Sequence, residues 1–116
     1  MAPFLIVDGD RNFREALAIA LRLDGFDVRV AGSVKDAQRA LAIFPFTMVL
    51  VDLLLRGADE FLGQLAASAC SLIVATGPHR ELLDRAATRH RVRTLEKPFW
   101  AADLASAGFP PATPTT

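Results

Sequence analysis

Apolar and polar positions change their spacing repeatedly along this chain. Five short apolar runs, most of them rich in β-branched or aromatic residues, have the length of buried strands and occupy residues 4–7, 26–31, 46–51, 71–75 and 92–96. Between these runs, apolar side chains recur every three or four residues, as on one face of a helix. The four longer stripes are Phe13, Leu17, Ala20 and Leu21; Val34, Ala37, Leu41 and Phe44; Phe61, Leu65 and Ala69; and Leu82, Leu83, Ala86 and Ala87. A short fifth helix is predicted over residues 100–107.

Local signals predict where some of these helices begin and end. Asp24 and Gly25 form a stop signal after the first helix. Ser33 stands directly before the second stripe and is predicted to cap that helix. Pro78 precedes the fourth stripe, and we expect it in the first turn of that helix, where proline is well tolerated.

Strand and helix alternate five times, which predicts an α/β fold built from βαβ units. Such units form a parallel sheet with helices on both faces. We expect residues 1–107 to form this single domain. Residues 108–116 contain three prolines, so we expect a disordered tail or the stub of a linker there.

Composition and charge narrow the possible functions. The chain has 116 residues, and its 13 basic and 13 acidic residues cancel, so a nucleic-acid partner bound through phosphate neutralisation is not expected. Cys70 is the only cysteine, which excludes an intrachain disulfide and a cysteine-cluster zinc site. The longest apolar run covers residues 16–21, too short for a membrane span. We expect a protein of the reducing cytoplasm with no membrane partner.

Chemically active side chains follow four of the predicted strands. Asp8 and Asp10 follow the first strand, Asp52 the third, Thr76 the fourth and Lys97 the fifth. Ligands of open parallel sheets bind beyond the carboxyl ends of the strands, so we expect these residues to converge. Three clustered carboxylates repel one another and favour a hard cation such as Mg²⁺. Thr76 and Lys97 have the chemistry to hold phosphoryl oxygens.

Taken singly, each of these residues has a simpler interpretation. An Asp-Gly pair is a common turn signal, Asp52 is equally suited to a loop or a helix cap, and a lone lysine is usually a solvated charge. Thr76 beside Gly77 is typical of a turn. The position of all of them at strand ends is what favours a site.

Other polar residues carry no such pattern. His79 and His90 have no metal-ligand partners at suitable spacing. A basic face on the fourth helix and beyond it could contact an acidic partner, but a solvated surface is the favoured interpretation. Its members are Arg80, Arg85, Arg89, Arg91 and Arg93.

The segments that contain these residues resemble the receiver domains of bacterial two-component response regulators. The resemblance rests on residues 4–10, 49–59, 73–77 and 97–99, and it extends over nearly the whole chain. It implies a flavodoxin-like, doubly wound sheet of five parallel strands in the order 2-1-3-4-5, flanked by five helices. It also implies a signalling domain of a phosphorelay rather than an enzyme.

The resemblance also implies a role for each site residue. Asp52 corresponds to the phosphoacceptor, which takes a phosphoryl group from a histidine kinase or phosphotransfer protein. Lys97 and Thr76 correspond to the residues that contact the transferred group. Asp8, Asp52 and the backbone carbonyl of Leu54 correspond to ligands of Mg²⁺.

Several positions depart from the family pattern. Gly9 stands where the family has a second acidic residue, so weak Mg²⁺ binding is expected, with Asp10 as a substitute ligand. Thr94 replaces the switch aromatic residue. Arg56 and Glu60 stand where proline and glycine are common.

Two alternatives to a phosphorylated receiver remain open at this point. One is a degenerate receiver that binds a partner without phosphorylation. The other is a haloacid dehalogenase-like phosphatase, suggested by the Asp-x-Asp form of residues 8–10 but opposed by Asn12 and by the short chain. For a receiver, the resemblance implies a homodimer or effector contact at the face of the fourth helix, fifth strand and fifth helix.

Overall fold

The computed structural model describes residues 3–68, 70 and 72–107 of the chain. Its sheet has five strands, β1 (Phe4–Val7), β2 (Val28–Ala31), β3 (Met48–Asp52), β4 (Leu72–Gly77) and β5 (Arg93–Glu96). All neighbouring strands are parallel and their order is β2-β1-β3-β4-β5. The predicted flavodoxin-like fold class is therefore confirmed.

Four α-helices connect the strands: α1 (Arg11–Leu23), α2 (Val34–Ile43), α3 (Ala58–Ala66) and α4 (Arg80–His90). The expected fifth α-helix is instead a 3₁₀-helix over Ala101–Ala107. The backbone N–H of Asp103 donates to the carbonyl oxygen of Trp100 at 2.9 Å, a bond between residues three apart, as in a 3₁₀ turn. The predicted tail over residues 108–116 lies outside the described residues.

The strands are buried because helices cover both faces of the sheet. On one face, Ile6 and Leu50 pack in a cluster with α1 and with Leu104 of the 3₁₀-helix. On the other face, Val7 and Val51 pack in a cluster that includes residues of α2, α3 and α4. This sandwich leaves the carboxyl ends of the strands as the edge where buried polar groups are found.

Strands β2 and β3 begin two residues later than predicted. The first residue of β1, Phe4, pairs with both Val28 and Met48, so the ladder starts at that level. The apolar residues just before these strands, Phe26 and Phe46, are buried as core residues without being part of the sheet.

Two predicted helix boundaries are confirmed and one is wrong. Helix α1 ends before Asp24 and Gly25, where the glycine has a φ of +95°. The Ser33 side chain accepts a hydrogen bond from the backbone N–H of Asp36 at 3.1 Å, as an N-cap does. Pro78 does not lie in the first turn of α4, because the helix starts at Arg80 after the cap residue His79.

Within the described part of the chain, we find no helix that is both long and apolar enough to cross a membrane.

Candidate active site at the carboxyl edge of the sheet

The parallel strands bring their carboxyl ends, and the predicted residues, to one edge. Asp8 follows β1, Asp52 ends β3, Thr76 lies beside Asp52 in β4, and Lys97 follows β5. Asp8, Asp52 and Thr76 have relative exposures of 0%, 6% and 0%, and they are the buried polar residues of the described chain. Burial of this kind requires partners that satisfy the charges.

Lys97 forms an ion pair with Asp8. The distance from Nζ to Asp8 Oδ2 is 2.7 Å, and the lysine side chain is 21% exposed. Its Nζ also lies 4.4 Å from the centre of the Phe13 ring, a cation–π contact with α1. The backbone N–H of Lys97 donates to Gly77 O at 2.8 Å, which extends the β4–β5 ladder up to the site.

The surroundings of Asp8 shift the pKa of its carboxyl in opposite directions. Burial is the largest cause and raises the pKa of Asp8 above its usual range. The contact with Lys97 and the backbone N–H of Asp10, which donates to Asp8 Oδ1 at 2.8 Å, lower that pKa, and the charge of Asp52 raises it. The net direction is upward, so one lysine does not offset the burial of two neighbouring carboxylates.

Asp52 is held by its own backbone turn and not by a cation. Its Oδ1 accepts from the backbone N–H of Leu54 at 3.0 Å, whereas Oδ2 has only a long contact of 3.5 Å with Gly9 N. Asp52 forms no ion pair with any residue that the structure describes. One carboxylate oxygen of Asp52 therefore stays available for a reaction.

Thr76 lies next to Asp52 in the sheet register. Its hydroxyl makes a long contact of 3.5 Å with the carbonyl oxygen of Val51. A bond of this length is weak, so the hydroxyl can turn toward another acceptor at little cost.

Asp10 is engaged at the start of α1, and its predicted part in a cluster of three carboxylates stays a prediction. Its side chain accepts from Phe13 N at 3.2 Å and caps α1. Among the residues that the structure describes, no three His, Cys, Asp or Glu side chains are placed to hold a metal. An aspartate after a strand and before a helical stripe has the sequence signal of an N-cap as well as that of a ligand.

The space beside Gly9 is taken by Leu55. A Cβ atom built on Gly9 would lie 3.2 Å from Leu55 Cδ2, the far end of a flexible side chain. Gly9 is not one of the residues with positive φ. The sequence alone gives no signal for this contact between two loops.

Arg14 is a site neighbour that the sequence analysis missed. Its Nη1 donates to the backbone carbonyl of Asp8 at 3.2 Å and lies 3.2 Å from a Cβ built on Gly32. Arg14 thus ties α1 to the end of β1. Arg14 lies one helical turn after Asp10, the residue that caps α1, and this spacing is the signal in the sequence that could have placed Arg14 near the site.

The basic face is exposed to solvent, as predicted for all five arginines, and two of them also form surface ion pairs. Arg80 pairs with Glu96 at 3.3 Å, and Arg89 pairs with Asp59 at 3.1 Å. His90 Nε2 also lies 2.8 Å from Asp59 Oδ1. These contacts link α4 to the end of β5 and to the first turn of α3.

The sequence matches no family model and no curated protein. The structure is similar to a CheY-like response regulator receiver domain from Methylobacillus flagellatus, with 26% identity over 91% of this chain and 94% of that chain, and a TM-score of 0.79. It is also similar to NtrX from Brucella abortus, with 24% identity over 92% of this chain and 25% of that chain, and a TM-score of 0.81.

A third similar structure is a response regulator from Burkholderia pseudomallei with a phosphorylated aspartic acid and a calcium ion. It shares 21% identity over 92% of this chain and 66% of that chain, with a TM-score of 0.81. Similarity to response regulators does not favour the haloacid dehalogenase-like alternative. With its strand order and these similar structures, the chain has the fold of a response regulator receiver domain.

Proposed function

We propose that this domain accepts a phosphoryl group on Asp52 from a histidine kinase or phosphotransfer protein. The observation that carries the proposal is the difference between the two buried aspartates. Asp8 is paired with Lys97 at 2.7 Å, whereas Asp52 has one oxygen with no closer donor than Gly9 N at 3.5 Å. The unpaired carboxylate is the better nucleophile.

The transfer is a substitution at phosphorus. A carboxylate oxygen of Asp52 forms the new O–P bond, the P–N bond to the donor histidine breaks, and its electron pair returns to the imidazole nitrogen. Lys97 and Thr76 supply a cation and a hydroxyl for the oxygens of the transferred group. Lys97 is already held at this edge, so little movement of its backbone is needed.

A hard divalent cation fits the oxygen atoms of this edge. Among the described residues, Lys97 pairs with Asp8 and no cation pairs with Asp52, so the two carboxylates share one positive charge, and burial raises the pKa of the Asp8 carboxyl. The residues that would hold Mg²⁺ are Asp8, Asp52 and the carbonyl of Leu54. When bound, the ion neutralises negative charge on the carboxylates and the phosphoryl group.

Mg²⁺ binding is expected to be weak. Gly9 offers no side chain and Asp10 is engaged at the start of α1, so only two carboxylates remain. Loss of a carboxylate ligand weakens metal sites on the order of 10–100-fold. The calcium ion of the Burkholderia pseudomallei structure supports a divalent ion in this kind of domain.

The domain is proposed to act as a signalling module of the cytoplasm and not as an enzyme. Its output surface would be the face formed by α4, β5 and the 3₁₀-helix, used in a homodimer or with an effector. Thr94 lies in β5 and is partly buried, so no aromatic ring is available there to report the state of Asp52.

Intact-mass measurement after incubation with acetyl phosphate and Mg²⁺ tests this proposal. The parent chain should gain one phosphoryl group and Asp52→Asn should gain none. Asp59→Asn, which changes an exposed aspartate outside the site, is the matched control and should be labelled like the parent. Labelling of Asp52→Asn, or no labelling of the parent, would overturn the proposal, and the latter result would favour a degenerate receiver.

A further inference from the structure

A cavity lies away from the strand-end site, between α2 and α3. Its volume is about 440 Å³, within the range of sites for small organic molecules. Most of its wall is apolar, and three of the side chains are aromatic. These wall residues are Leu41, Phe44, Phe46, Phe61 and Leu65. Phe44 and Phe46 already meet edge to face, with ring centres 6.2 Å apart.

None of the described side chains that line this cavity is charged; Arg29, whose guanidinium lies 4.4 Å from the centre of the Phe44 ring, is not among the residues that line the cavity. Its polar wall atoms belong to Gln38, Gln64, Ser68 and Cys70. Burial raises the pKa of the Cys70 thiol above its usual range, so the thiol is uncharged at neutral pH. A charged ligand would lose its hydration without gaining a counter-charge, which favours a neutral occupant.

Two amides at the rim leave one donor and one acceptor free. Gln38 Nε2 donates to Gln64 Oε1 at 3.0 Å. The other amide atoms, Gln38 Oε1 and Gln64 Nε2, make no hydrogen bond with the described residues. Whenever one amide donates to another through a single bond, one amide oxygen and one amide nitrogen are left without a partner. Together, this free acceptor and this free donor match the N–H and C=O groups of a carboxamide.

We propose that this cavity binds a neutral aromatic molecule that carries a carboxamide group. The ring system packs against Phe44 and over Phe46 and Phe61, which form a nearly buried part of the wall, and aromatic contacts add to the burial of apolar surface. The carboxamide pairs with the free amide atoms of Gln38 and Gln64. The inference shares no residue with the phosphoacceptor site, so each proposal can fail without the other.

The test uses naphthalene-2-carboxamide as the probe and alkylation of Cys70 as the readout, since the chain has no other thiol. At saturation, the carboxamide should slow alkylation of Cys70 by about tenfold or more. Naphthalene-2-carboxylate has the same ring system and a charge, and it should give no protection at equal concentration. An unchanged alkylation rate with the carboxamide, or equal protection by the carboxylate, would overturn the proposal.

A matched pair of variants locates the binding. Leu41→Glu places a charge on the cavity wall and should abolish protection, whereas Ile43→Glu, on the same helix but 72% exposed and outside the cavity, should preserve it. Equal protection in both variants places the probe elsewhere and overturns the proposal.

A third variant tests the carboxamide contact and remains informative if Leu41→Glu does not fold. Gln64→Leu changes an exposed residue and removes the free donor. It should weaken carboxamide binding about tenfold, as expected for the loss of a hydrogen bond in a partly buried site. Unchanged affinity in Gln64→Leu would overturn the assignment of a carboxamide ligand.

Discussion

Gly9 and Leu55 limit the number of carboxylates at the strand-end site. A Cβ atom at position 9 would lie 3.2 Å from Leu55 Cδ2, so a side chain there requires Leu55 to shift slightly. The site then has two carboxylates and one lysine, and the pKa of Asp8 shows that even this smaller set is costly to bury. Residue 9 therefore sets a balance between stability without metal and affinity for metal.

Gly9→Asp should increase Mg²⁺ affinity by about tenfold or more, since it restores a carboxylate ligand. It should also lower the stability of the metal-free protein through repulsion from Asp8 and Asp52. Thermal melts monitored by circular dichroism with and without Mg²⁺ measure both effects, and a phosphorylation time course should show faster labelling of Asp52.

Adding Leu55→Ala to Gly9→Asp should raise the affinity further by freeing space, while Leu55→Ala alone should leave it unchanged. If neither the single variant Gly9→Asp nor this double variant binds Mg²⁺ more tightly than the parent, the ion is not held at this edge.

Among the elements, the start of α1 contains an aspartate, Asp10, with two candidate roles: helix cap and metal ligand. Asp10 caps the helix through Phe13 N. Asp10→Ala should therefore lower the free energy of unfolding by about 1 kcal/mol. Asp10→Ser keeps a capping oxygen and removes the charge, so it should retain most of that stability.

Urea denaturation measures these changes, and Mg²⁺ titration provides the second readout. Neither Asp10 variant should change Mg²⁺ affinity. A clear loss of affinity in Asp10→Ser would show that Asp10 is a ligand after all.

The junction of α3 and α4 is expected to respond to acid. The hydrogen bond from His90 is the main reason that the pKa of Asp59 is lowered, and Arg89 lowers it further. A carboxyl with a lowered folded pKa stabilises the protein above its unfolded pKa and loses this contribution as the pH falls through the folded value. Asp59→Asn should therefore cost stability at neutral pH, and the difference from the parent should vanish in acid.

The expected cost is at most about 0.5 kcal/mol, because the Asp59 side chain is 55% exposed and solvent screens such pairs. Chemical denaturation at several pH values measures it. Glu60→Gln is the control, since it changes a neighbouring exposed acid in the first turn of α3. A difference between Asp59→Asn and the parent that persists unchanged into acid would contradict the assignment.

At the scale of the whole molecule, the Asp8–Lys97 pair connects parts of the sheet that are not neighbours. Strands β3 and β4 lie between β1 and β5, and the pair joins their ends across this distance. Lys97→Met leaves Asp8 buried without its cation. It should lower the free energy of unfolding by about 1–2 kcal/mol, less than for a fully buried pair because Lys97 is partly exposed.

The same variant should slow phosphorylation of Asp52 about 100-fold, through loss of the cation that meets the phosphoryl oxygens. Lys35→Met changes the only other lysine, which lies on α2, and should match the parent in both measurements. Parent-like labelling of Lys97→Met would remove Lys97 from the proposed chemistry.

The sequence predicts the sheet and its strand-end residues well, because both depend on local pattern and on the rule that parallel strands end at one edge. It predicts less well what depends on contacts distant in sequence. The pairing of Asp59 with His90 joins residues 31 positions apart and has no local signature. The capping role of Asp10 was not predicted, because a helix cap and a metal ligand present the same residue type after a strand. Leu55 was missed because its proximity to Gly9 arises only when two loops fold together.

The single tryptophan and the single cysteine of the chain stand at opposite ends of the sheet. Trp100 follows β5 at the carboxyl edge and is 82% exposed, while Cys70 precedes β4 at the amino edge and lines the cavity. The chain has no tyrosine, so its intrinsic fluorescence comes from one place. A dye on Cys70 therefore turns the native chain into a donor–acceptor pair across the sheet, and changes at the two edges can be followed in one sample without adding a residue.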